Sequence, residues 1–441
     1  MDAVSLHPSS VEPQDHDRML QRFLAVREIS ERLCEPLERE DYLLQAMAST
    51  SPAKWHLAHT TWFFETFLLK PFCVGYQIYH RAFETLFNSY YNGIGEQYAR
   101  DQRGLLSRPT VDEVYAYRRH VNEAMRGLLE SPPAESAREV YERVTLGCHH
   151  EQQHQELFFT DLKYCWSKNP LLPAYSANPI PTGTSLAPIS WLDFNSGVRE
   201  FGHNSTAEFC FDNELPRHPQ YIADFQIADR LVSNGEYAQF IEDGGYQRPE
   251  LWLADGWAGL AQPPAGSKPL APLYWMKEDN HWLEYTLHGL RDLDANSPVS
   301  HLSAYEADAY ARWAGARLPT EFEWEASVQQ LTNKNDGHGP QAGQFLNTKL
   351  VHPVYSDLNQ GSNNITGQLW QWTSSAYSAY PGFKSAKGAI GEYNGKFMAN
   401  QLVLRGGSCV TSANHYRHSY RNFFYPPDQW QFTGLRLAKD A

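Results

Sequence analysis

Residues 140–166 read VYERVTLGCHHEQQHQELFFTDLKYCW, and this stretch sets the architecture of the first third of the chain. Apolar side chains return at three- and four-residue intervals, at Val140, Val144 and Cys148 and again at Phe158, Leu162 and Cys165, which is the pattern of a helix with one buried stripe. His150 and His154 stand four apart, so on a helix they differ by about 40° in azimuth and about 6 Å in rise and can grip one ion. The string also matches H-E-x-x-H, the zinc-protease signature in which Glu151 would act as general base. A metzincin would continue with x-x-G-x-x-H. Here QELFFT follows, and the next residues supply no third ligand, which argues against that reading.

Upstream, SPAKWHLAHTTWFFETFLL (51–69) has the same texture, with Pro52 suited to a helix's first turn. His56 and His59 lie three apart on it, so either could face a bundle interior, and spacing alone leaves both open. MLQRFLAVREISERL (19–33) and VDEVYAYRRHVNEAMRGLL (111–129) add two more periodic runs, and residues 15–170 are expected to form a four-helix bundle. The proline-rich, aperiodic NPLLPAYSANPIPTGTSLAP then predicts a linker over 171–188. From 189 to 441 short segments alternate with Gly, Pro, Asn and Asp. Only AYEADAYARWAGA (304–316) stands out there as a helix, so a loop-rich α+β domain is expected.

A chain of 441 residues suits two domains, and 42% hydrophobic with 14% aromatic residues is enough to fill their cores. With 37 basic against 51 acidic residues, the net charge of -14 excludes a polyanion-binding footprint for nucleic acid or anionic membrane and favours small-molecule partners. The six cysteines show no metal or disulfide spacing. The first residues carry no basic and apolar leader, and no run approaches about 20 apolar residues, so a cytoplasmic location is expected.

WHLAH (55–59) and HEQQH (150–154) within such a bundle resemble DinB-type domains, in which one histidine of an early helix joins two of an HxxxH helix. The resemblance assigns the metal to His59, His150 and His154 and leaves His56 beside it. ARLPTEFEWE (316–325), GQLWQWTSS (367–375), LRGGS (404–408) and GLRLA (434–438) resemble the formylglycine-generating or sulfatase-modifying domain, related to C-type lectins. After Cys409 no cysteine remains, so the copper-binding pair of true formylglycine-generating enzymes is missing, and Cys409 is expected to be a buried small residue.

The two domains in this order resemble the ergothioneine-biosynthetic sulfoxide synthases. That resemblance implies Fe(II), O2 as co-substrate, and coupling of cysteine or γ-glutamylcysteine to C2 of hercynine, the Nα-trimethyl betaine of histidine, with oxidation of the sulfur. Three neutral imidazoles suit Fe(II) and leave positions for incoming ligands. The SYYN segment (89–92) resembles one bordering the iron, which makes Tyr91 and Tyr90 the candidate proton donors, with Tyr377 a candidate from the second domain. By the same resemblance Arg100 and Arg103 would hold the carboxylate of the thiol substrate, while Gln153 and Asn422 would hold hercynine. Phe423 and Phe424 replace the Trp-Asp of mycobacterial-type relatives. That removes an acid from the γ-glutamylcysteine pocket and favours free cysteine.

The alternatives are an ovothiol-type 5-histidylcysteine sulfoxide synthase, which usually carries an added methyltransferase, a DinB-like thiol transferase, and a lectin-like binding module. The last leaves the three histidines without a joint purpose.

Overall fold

The computed structural model describes residues 13–182, 186–204, 209–261, 270–334, 343–355 and 365–441. The leader-free reading of the first residues falls mostly outside these ranges. Two units emerge, Met1–Phe158 and Phe159–Ala441, divided inside the longest helix.

In the first unit the periodic runs fold as helices α1 (Pro13–Leu33), α2 (Ala53–Phe64), α5 (Val111–Glu130) and α6 (Ala137–Trp166), with short α3 (Lys70–Phe72) and α4 (Phe83–Leu86) between. Pro52 takes the N-cap of α2 rather than its first helical position, and its carbonyl accepts from the backbone of Trp55 and His56. Thr110 and Glu113 form a reciprocal capping box that starts α5. Between α2 and α3 a π-helical turn, Glu65–Leu69, aims the buried Glu65 carboxylate at the hydroxyls of Tyr76 and Tyr117 and the backbone N–H of Tyr79. Helix α6 approaches α2 closely at Gly147, where a Cβ would lie 2.6 Å from the Phe64 ring. Glycine is what lets the helix bearing His150 and His154 lie against the helix bearing His59.

The second unit holds four helices among the described residues, not the single one that periodicity predicts: α7 (Asn234–Glu242), α8 (Ala254–Ala261), α9 (Ala304–Trp313) and α10 (Glu321–Lys334). Helix α10 escapes a periodicity reading because three glutamates of its first turns, Glu321, Glu323 and Glu325, are buried. Strands β1 (Trp191–Phe194), β4 (Phe225–Ala228) and β12 (Ala438–Asp440) form one sheet in the order β1-β4-β12. Strands β2 (Gly197–Phe201) and β3 (His218–Ile222) form a hairpin, and β5 (Trp275–Glu278), β6 (His281–Thr286) and β7 (Gly289–Asp292) form a meander. The fourth sheet runs β10-β9-β8-β11, from Asn422–Phe424, Leu402–Arg405, Trp370–Ala376 and Thr433–Gly434.

The motifs that stand out in the sequence build this core. Gln371 of the WQW motif accepts from both Trp324 and Arg436, and Gly406 and Gly407 of LRGGS adopt φ of +110° and +74°. Cys409 is fully buried, as expected. The described part of the proline-rich stretch lies within the second unit. The backbone N–H groups of Tyr175 and Ser176 donate to the Leu287 carbonyl, and the Tyr285 hydroxyl donates to that of Pro173.

Candidate metal centre

His59 on α2 and His150 and His154 on α6 each offer one ring nitrogen, and these atoms all lie within 4.8 Å of one another. The ring centroids form a near-equilateral triangle of 4.9, 4.7 and 4.7 Å. His59 donates its Nδ1–H to the Phe87 carbonyl at 2.6 Å, which leaves Nε2 as the lone-pair nitrogen, and that atom lies 3.2 Å from His150 Nε2. All three histidines of the group are buried. The Trp55 ring stacks on His59 at 4.6 Å and Trp62 at 5.6 Å, fixing the plane of the imidazole.

Burial pushes His150 down to about 3. It also holds His59 and His154 well below the usual imidazole value, with neighbouring imidazoles adding to the effect. All three rings are therefore neutral near pH 7, the form that ligates metal. Donor set, proximity and protonation state fit a divalent transition metal held by three nitrogens.

Glu151, the would-be protease base, is committed elsewhere. Its carboxylate takes hydrogen bonds from Arg27 (2.8 Å), Arg118 (3.1 Å) and Ser30 (2.6 Å). Burial works to raise its pKa, but the two arginines outweigh burial and keep it ionised. A carboxylate held by two guanidinium groups is a poor proton acceptor, so the peptidase reading loses its base.

Tyr91 is fully buried and packs on Trp62 (5.6 Å) and Phe67 (5.1 Å), with Tyr90 stacked on it at 4.6 Å and the two hydroxyls 3.5 Å apart. Asn88 holds their loop by bonding both the N–H and the carbonyl of Tyr91. Trp62 thus touches both His59 and Tyr91. Arg103 is buried with its guanidinium 3.4 Å over the Trp55 ring and donates to the hydroxyls of Ser51 and Ser89, so guanidinium and His59 imidazole both pack on the Trp55 indole. Arg100 is exposed and donates to the Ser49 carbonyl. Gln153 is half-buried on α6, three positions after His150.

The remaining candidates belong to the second unit. Tyr377 is buried, its hydroxyl accepts from Asn213 at 2.9 Å, and its ring stacks on Phe423 at 3.9 Å. Burial raises its pKa. Asn422 accepts from the Phe423 backbone N–H, and Phe424 meets Trp430 edge-on at 6.2 Å.

Sequence reasoning missed the Phe87 carbonyl, which no side chain announces, and the stacking roles of Trp55 and Trp62. The positions of those two tryptophans, four before and three after His59, would have found them.

Two family descriptions match the chain: DinB superfamily over residues 22–158, and sulfatase-modifying factor enzyme 1-like domain over 193–441. Among curated proteins, a hercynine oxygenase of Mycobacterium tuberculosis is 30% identical over 412 residues, covering 88% of this chain and 91% of that one. The hercynine oxygenase of Mycolicibacterium smegmatis is 32% identical over 68% of this chain and 72% of its own length. Ergothioneine biosynthesis protein 1 of Schizosaccharomyces pombe is 26% identical over 54% of this chain and 29% of that protein.

Proposed function

The chain belongs to the hercynine oxygenase family, and from that premise we propose that it is an iron(II)- and O2-dependent sulfoxide synthase of ergothioneine biosynthesis, joining the sulfur of cysteine to C2 of hercynine. The observation that carries the metal part of this reading is the buried triangle of neutral imidazoles, His59, His150 and His154. The balanced reaction takes hercynine, cysteine and O2 to the coupled sulfoxide and one water, with one oxygen atom ending on sulfur. Iron, when bound by the three histidines, supplies the centre at which thiolate and O2 are activated.

The chain's own residues then have separable tasks. The three rings bring no charge, so an anionic thiolate is favoured as the incoming partner. Arg103, a buried cation layered on Trp55, is suited to the cysteine carboxylate, with Arg100 as its more exposed companion. Tyr91, with Tyr90 stacked on it, is suited to deliver a proton at its hydroxyl oxygen. Gln153, on the same helix as His150 and His154, would orient hercynine. The apolar Phe424 offers no carboxylate to the amino group of a γ-glutamyl donor, which supports free cysteine as the thiol.

The test is to incubate iron-loaded protein with hercynine and cysteine in air and to analyse products by mass spectrometry and proton NMR. The expected product has the summed mass of the coupled sulfoxide and has lost the imidazole C2 proton. Loss of the C5 proton instead, or no coupled product, overturns the assignment. Run side by side, cysteine should give the higher kcat/KM, and a preference for γ-glutamylcysteine overturns the choice of donor.

A further inference from the structure

His56 is not one of the three ligands, yet its Nδ1 lies 2.8 Å from the Nδ1 of His154. At that distance one nitrogen carries a proton and the other presents a lone pair. With His154 Nδ1 engaged in this bond, Nε2 is the nitrogen left for an ion. A neutral imidazole that ligates through Nε2 keeps its proton on Nδ1, so His154 must donate and His56 must accept. This is the tautomer His59 shows, whose Nδ1–H goes to the Phe87 carbonyl.

We propose that His56 is a positioning residue of the metal centre: it accepts the Nδ1–H of His154 and thereby fixes the tautomer and ring plane that present Nε2 to the metal. The proposal rests on the metal-centre reading given above. The side chain of His56 does for His154 what the Phe87 backbone does for His59. Metal-bound histidines usually donate their second N–H to a carboxylate, carbonyl or water, and such partners raise ligand basicity and hold the ring. A neutral imidazole acceptor gives the same orientation while adding no charge to a site built from three neutral rings.

Packing does not do this work alone. The His56 and His154 rings border a cavity of about 20 Å³ whose other walls include Leu33, Cys34, Leu57 and Phe158. Packing restrains such a ring without choosing its tautomer, which only a directional bond does.

The test uses the full-length chain with Fe(II) and Co(II) as probes under anaerobic conditions. Dissociation constants are read by chelator competition and site geometry by the visible ligand-field bands of Co(II). His56→Phe keeps ring volume and removes the acceptor, so both affinities should fall about 10- to 100-fold, the usual cost of losing such a partner, and the Co(II) bands should shift. His56→Asn restores an acceptor oxygen and should return affinity and spectrum toward wild type. Should His56→Phe not fold, His56→Leu makes the same removal. Wild-type affinity and spectrum in His56→Phe, or no recovery in His56→Asn, overturns the proposal. If His56→Phe loses the metal entirely while His154→Phe retains it, His56 is itself a ligand and the proposal also fails. If the wild-type chain binds neither ion, the metal-centre reading falls first and takes this inference with it.

Discussion

In the first unit three imidazoles meet with no carboxylate among them, whereas in the second Arg421 meets Glu321 in a two-bond pair of 2.8 and 3.0 Å and Arg405 meets Glu325. Both arrangements bury ionisable groups. Desolvation drives the histidines to their neutral form, leaving lone pairs aimed at one point. In these two pairs each charge is matched by an opposite one, so neither carboxylate is free to bind a ligand. Buried pairs of that kind specify a fold, while converging neutral donors specify a site. Within α6 the same contrast occurs between adjacent residues, His150 in the triangle and Glu151 between two arginines.

The strongest way to break this comparison is to remove a ligand. His59→Ala should lower bound iron to background and abolish sulfoxide formation, while His56→Ala keeps part of both. Metal analysis and product assay check this, and the opposite ranking of the two variants sinks the ligand assignment.

Next in size, Glu151→Gln leaves Arg27 without its acid and Arg118 with Glu31 alone, and should cost about 3–5 kcal/mol of stability in urea unfolding, as Glu325→Gln should for Arg405. Wild-type midpoints in both variants would show that these pairs are not the fold's anchors.

A pH series sharpens the contrast. Between the ordinary value of 6.5 and about 3 the unfolded chain binds a proton that folded His150 refuses, so apoprotein stability is full above 6.5 and falls as pH drops through that window. The loss at pH 5 should be about 2 kcal/mol for each histidine so shifted. Glu214, lowered despite burial because Arg417 and Ser419 favour its charged form, adds its loss only below 4.5. His301 and His352 of the second unit share the histidine direction, so the first unit's portion is the slope that disappears in a His59→Gln/His150→Gln/His154→Gln variant. An unchanged slope between pH 7 and 5 in that variant would contradict the reading.

The smallest expected effect concerns the tyrosines. Tyr91→Phe, and more strongly Tyr90→Phe/Tyr91→Phe, should keep iron and both substrates but divert cysteine toward its sulfinate. Each tenfold change in product ratio corresponds to only about 1.4 kcal/mol between competing barriers. Wild-type rate and product ratio in the double variant would make these residues packing and turn attention to Tyr377.

The HxxxH spacing, the four periodic helices and the change of texture near residue 189 could all be read from the chain, because each depends on neighbours within a few turns. The choice between His56 and His59 could not be made from spacing. Both lie on one face of α2, and only the packing of α6 through Gly147 and the Phe87 carbonyl decides which ring joins the triangle and which one backs it. Helix α10 was hidden for a related reason: its buried Glu321 and Glu325 read as solvent-facing until Arg421 and Arg405 from distant segments meet them. Local periodicity fixes which residues can share a face, since it follows from backbone geometry alone. Which buried polar group is a ligand, a support or half of an ion pair depends on partners far away in sequence, because the cost of burying it is settled only by what it meets there.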